Sequence, residues 1–88
     1  MGLDTVETVL WAEKSFGIDI PDSDAAGIRT VGAFSAYIHA RLVALNVSDP
    51  PSECDVFEGL KTYLVMYLKV RPELIRREAS FVQDLGLD

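Results

Sequence analysis

Three stretches of this 88-residue chain repeat apolar residues at the spacing of an α-helix, with helix-stopping residues around them. The middle one is the cleanest. Val31, Phe34, Ile38, Leu42 and Leu45 recur three and four apart, so a helix from its cap Thr30 to about Leu45 presents a single stripe. The last runs from about Asp55 to Lys69, with Phe57, Leu60, Leu64 and Leu68 on one face and Val56, Tyr63 and Tyr67 beside them. The first runs from Asp4 to about Phe16, where Gly17 offers a left-handed stop and Pro21 blocks continuation. Its apolar arc is divided by Glu13, with Thr5, Val9, Ala12 and Phe16 on one side and Leu3, Val6 and Leu10 on the other. Val9, Ala12 and Phe16 are expected in the core and Val6 and Leu10 at its edge. Trp11 lies outside both stripes, as a surface aromatic or a contact residue. Asp4 and Glu7 fit a capping box at the start of this helix. The pattern predicts an all-α fold, a small four-helix bundle of three main helices and one short one.

The short element follows a loop, residues 16–22, in which alternation turns Ile18 and Ile20 inward. Asp22 or Ser23 then caps a helical turn to about Ile28. Polar residues and two prolines at about 46–54 read as a linker between packed helices, within one domain spanning 1–88. A chain this long buries roughly 60–65% of its unfolded surface, enough for one modest core. Cys54 is the sole cysteine, which excludes an internal disulfide. No apolar run reaches the roughly 20 residues needed to span a bilayer, and no basic region precedes an apolar one. A cytoplasmic monomer without membrane attachment is expected.

Charge narrows the partners. The net charge is −6, and it is spread: residues 1–45 carry six acids and three bases, residues 46–88 eight and five, so each half nets −3. Such a surface repels nucleic acid and favours a protein with a basic surface. Catalytic groupings are lacking. His39 is the sole histidine, on a helix away from the apolar stripe, and Cys54 has no histidine near it in sequence. Arg71, Arg76 and Arg77 read as a solvated basic loop. With no metal-ligand spacing and no phosphate-binding glycine loop, neither an enzyme nor a metal site is expected.

Residues 16–32, FGIDIPDSDAAGIRTVG, and the following VGAFSAYI resemble the acyl carrier protein family, where FGI-x-IPD leads from the recognition helix through a short third helix to the fourth. The tail resembles the family's opening: a long helix, then V-x-PE-x-I and A-SF-x-x-DLG-x-D, matched by Val70, Pro72, Glu73, Ile75, Ala79, Phe81, Asp84, Leu85, Gly86 and Asp88. Read end into beginning, SFVQDLGLD followed by LDTVE resembles the family's loop and recognition-helix start. The resemblance covers nearly the whole chain in the order second, third, fourth, first helix. It therefore implies a circularly permuted carrier fold with its two ends close together.

The same resemblance implies a serine carrying 4'-phosphopantetheine at the start of the first helix here. Gly2 stands in that place, and Asp88 supplies the preceding acid only from the other end of the chain. No cofactor is therefore expected. Ser23 reads as a helix cap and Ser80 as a loop cap, while Ser15, Ser35, Ser48 and Ser52 lack the family's context. The function expected is that of an acyl-carrier-like module that binds partner proteins, among them acyl-transfer enzymes, without the prosthetic arm. Asp4, Val6, Glu7, Leu10, Glu13, Leu87 and Asp88 are the expected contact residues. Two alternatives stay open: a working carrier modified at another serine or on sequence past Asp88, and a small helical regulatory protein unrelated to acyl transfer.

Overall fold

A computed structural model describes residues 3–87. Among them lie α1 (Leu3–Phe16), α2 (Asp22–Ala26), α3 (Val31–Ala44), α4 (Glu53–Tyr67) and a 3-10 turn, Pro72–Leu74, with no β-strand. The described chain is all-α, a small four-helix bundle. Its radius of gyration, 12.1 Å, equals the value of about 12 Å expected of one compact domain of this length.

α3 and α4 share the most extensive contact. Phe34, Ile38 and Leu42 of α3 meet Val56, Leu60 and Leu64 of α4 in the core, each almost wholly buried. Leu45 does not join them. α3 ends at Ala44, one residue short of the predicted stripe, and leaves Leu45 52% exposed. α4 also starts and stops earlier than the spacing predicts, because Ser52 caps it: the Ser52 hydroxyl accepts from the Asp55 amide at 3.0 Å. At the other end Lys69 turns to φ 60°, which closes the helix.

α1 places Ala12 and Thr8 in the core. The Thr8 hydroxyl donates to the Asp4 carbonyl at 2.8 Å, the intrahelical bond that lets a hydroxyl be buried. Phe16, predicted as core, is only half-buried and meets Trp11 edge-on. Trp11 proves to be a contact residue, stacked on Tyr63 of α4 with ring centroids 4.6 Å apart. The buried arc of α1 is thus rotated toward α4 relative to the predicted stripe. Asp4 is another correction: the helix already includes Leu3, so Asp4 sits in its first turn and is not its cap.

Between α1 and α2, Gly17 adopts φ 66° and Ile18 and Ile20 are buried on either side of exposed Asp19, as alternation predicts. α2 begins at Asp22 behind Pro21, with no side-chain cap, so neither Asp22 nor Ser23 plays that part. Tyr37 of α3 holds the element in place by donating its hydroxyl to Asp24 at 2.7 Å.

After α4 the chain has little regular structure, yet Val70, Ile75, Ala79, Phe81 and Leu87 are all buried. This closing segment docks on the start of α3. The Val31 amide donates to the Ala79 carbonyl at 3.0 Å, the Gly32 amide to the Arg77 carbonyl at 2.7 Å, and the Phe81 amide to the Arg29 carbonyl at 3.0 Å. Thr30 and Ser80 thereby form an isolated antiparallel bridge. A helix leaves its first amides without intrahelical acceptors. Here Val31 and Gly32 are served by the segment, and Ala33 by the Thr30 hydroxyl at 3.2 Å.

Candidate functional site

The loop from Ser80 to Leu87 is built by its own polar residues. The Ser80 amide donates to the Asp84 carboxylate at 2.6 Å, and the Ser80 hydroxyl accepts from the Gln83 amide at 3.1 Å. Asp84 and Leu85 amides both donate to the Ser80 carbonyl, which curls the chain tightly. Gly86 then takes φ 69°, a conformation that favours glycine, and the Leu87 amide returns to the Phe81 carbonyl at 2.9 Å. That turn drives the Leu87 side chain inward, to 6% exposure. Leu87 was expected as a contact residue, and burial in the core excludes it from a docking surface.

This loop faces α1 across a cleft of about 330 Å³. Thr5, Thr8 and Val9 line it from α1, Ala25 and Ala26 from α2, and Ser80 to Gln83 from the loop. The buried, edge-on pair Phe34 and Phe81, 6.0 Å between ring centroids, lies against its inner end. Arg29, exposed, puts a cation among the lining residues. The cleft is therefore a mostly apolar slot with a polar edge, the usual make-up of a small-molecule site. Sequence periodicity could not find it, because its walls come from three separate segments.

The other expected contact residues divide. Val6 and Leu10 are exposed, 38% and 49%, and Glu7 is exposed beside them. At 100° per residue, Asp4, Glu7 and Trp11 share the flank of α1 that faces α4, and Val6 lies on the opposite flank. Glu13 is drawn into the fold: its carboxylate accepts from the Ile20 amide at 2.9 Å and fastens the loop that follows α1. Gly2 and Asp88, which the resemblance aligns with the carrier family's attachment point, lie outside the described residues.

Two electrostatic features stand out. Burial raises Tyr63 above the ordinary tyrosine value of 10.0; a hydrogen bond with Thr8 opposes that shift, and the charges of Glu7 and Asp4 add to it. Tyr37 is raised in the same direction by burial and by its bond to Asp24. The arginine cluster is split as well. Arg77 pairs with Glu53 and lies 4.7 Å from the Phe57 ring centroid, tying the closing segment to α4, while Arg71 makes an exposed pair with Glu73 at 3.5 Å. Among the described residues no group of three or more His, Cys, Asp or Glu is placed to hold a metal ion. No helix among them is long and apolar enough to cross a membrane.

No protein-family model matches the chain, and no solved structure matches it. Among curated proteins it is similar to an acyl carrier protein of Prochlorococcus marinus (strain MIT 9515), 51% identical over 39 residues. That match covers 44% of this chain and 49% of the relative, so the chain spans about half the length of that relative.

Proposed function

We propose that the chain is an acyl-carrier-type module with its helices in the order second, third, fourth, first, and that it engages partner proteins without a prosthetic arm. The observation that carries this reading is the cleft. Residues near the start of α1, Thr5 and Thr8, line it together with Ser80 to Gln83, so the segments LDTVE and SFVQ come to one place. A permuted order also fits a match of limited length, since a collinear alignment follows one block of the relative and loses the other. The likeness to an acyl carrier protein is in keeping with a carrier-type module rather than a catalyst.

At the position that the resemblance assigns to attachment, the chain does not fit 4'-phosphopantetheine. Gly2 has no hydroxyl to esterify. Among the other serines, the Ser80 hydroxyl accepts from the Gln83 amide, Ser52 caps α4 and Ser35 is buried, while Ser15, Ser23 and Ser48 are exposed and fall to the mass measurement below. What remains for recognition is the exposed side of α1, which carries Val6 and Leu10 and, on the flank toward α4, the carboxylates of Asp4 and Glu7: apolar and acidic groups suited to a basic partner surface such as that of an acyl-transfer enzyme.

Two measurements test this. Incubation with coenzyme A and a broad-specificity phosphopantetheinyl transferase should leave the intact mass unchanged; a gain of one prosthetic group overturns the armless reading, and peptide mapping would locate it. Probes placed by Leu3→Cys and Gln83→Cys, with Cys54→Ser to remove the native thiol, should lie about 10–15 Å apart. A separation near the domain's 25 Å breadth overturns the helix order.

A further inference from the structure

The face shared by α1 and α4 carries a feature that a carrier fold does not require. Tyr63 stacks on Trp11 at 4.6 Å and on Tyr67 at 5.5 Å, giving three rings in a continuous ladder. Its outer end is open: Tyr67 is 73% exposed, and its neighbour Met66 is 61% exposed. Asp4 and Glu7 precede Trp11 by seven and four residues, on the same flank of α1, and Tyr63 feels the charge of both. Among the described residues neither carboxylate is in an ion pair. The one cation of α1, Lys14, stands in its last turn, away from both.

The other end of α4 shows what such a grouping holds. There the Arg77 guanidinium lies over the Phe57 ring and pairs with Glu53. A planar cation is satisfied by a ring face and a carboxylate at once. Around Tyr63, ring faces and the charges of Asp4 and Glu7 again come together, but among the described residues neither carboxylate is paired with a guanidinium.

We propose that the Trp11–Tyr63–Tyr67 ladder, with Asp4 and Glu7, is a docking surface for an arginine-bearing segment of a basic partner protein. The inference rests on the partner-binding reading of α1 and names the partner's chemistry. An arginine lies on the exposed Tyr67 ring while the carboxylates take its charge, and the chain's net −6 attracts the segment from a distance.

Trp11 is the only tryptophan, so its emission and its indole N–H resonance report on the ladder. The probe is a synthetic peptide of alternating arginine and glycine, compared with its lysine counterpart of equal charge. The arginine peptide should give a saturable change in Trp11 signal at low salt and bind more tightly than the lysine peptide. Tyr67→Ala should weaken it about 2- to 5-fold, the worth of an exposed cation–π contact, and Tyr67→Phe should restore it. Glu7→Gln should weaken both peptides and flatten the salt dependence. No saturable signal, or equal binding of the two peptides by wild type, overturns the proposal. Loss with Glu7→Gln but none with Tyr67→Ala overturns the ladder while leaving the acidic edge of α1 in place.

Discussion

At Gly32 one added carbon would collide with main chain. A Cβ there would lie 2.7 Å from the Arg77 carbonyl oxygen and 2.9 Å from the Arg77 Cβ, and the carbonyl is the acceptor of the Gly32 amide. Gly32→Ala should therefore cost about 1–3 kcal/mol, as overpacking does. Gly59, inside α4 with open space at its Cβ position, should gain about 0.5–1 kcal/mol on substitution by Ala. Urea denaturation of the two variants checks both signs. Burial likewise separates side chains that sequence spacing groups together. Phe34→Ala should cost about 3–5 kcal/mol, and Phe16→Ala clearly less because Phe16 is half-buried. Val6→Ala and Leu10→Ala should stay within about 0.5 kcal/mol, as substitutions at exposed sites do. The exposure of Val6 and Leu10 was legible from their place beside a divided apolar arc. Trp11, Thr8 and Leu87 were not: which flank of a helix is covered depends on what packs there, and that is not written in the helix itself.

Among the α-helices described, α2 is the shortest, and its link to α3 is titratable. Tyr37 holds its proton above the ordinary value of 10.0 through burial and the bond to Asp24; Tyr63 is raised chiefly by burial. The folded chain thus binds more protons than the unfolded one between that value and the raised ones. Stability is fully present below about pH 10 and falls as pH climbs through the folded values. Tyr37→Phe and Tyr63→Phe should each make this alkaline loss shallower, measured as urea midpoints from about pH 9 to about pH 11. The long helices were legible because each has an apolar period and a polar stop. Their ends were less so. Ser52 begins α4 two residues early because its hydroxyl reaches the Asp55 amide, a cap that apolar spacing does not register.

For the molecule as a whole, helix order and fold can be separated by rewriting the chain. A version that begins at Ser52, runs to Asp88, continues through one added serine to Leu3 and ends at Asn46 should keep the helical circular dichroism of the parent. It should also accept the prosthetic group from coenzyme A, read as a mass gain. Failure to fold would count against the proposed order. The all-α class was legible from three apolar stripes; the closing segment's packing was not, because its five buried anchors, Val70 to Leu87, follow no period. That segment also bears on synthesis. Gly32 leaves the ribosome 45 residues before Arg77, the residue whose carbonyl it meets, an interval of about 2–9 s at about 5–20 residues per second. Through that interval the Val31 and Gly32 amides have only water as acceptor, because Ala79 and Arg77 have not yet emerged. The nascent α3 is held at its start by Thr30 alone, and its first turn becomes fixed only as the closing segment emerges.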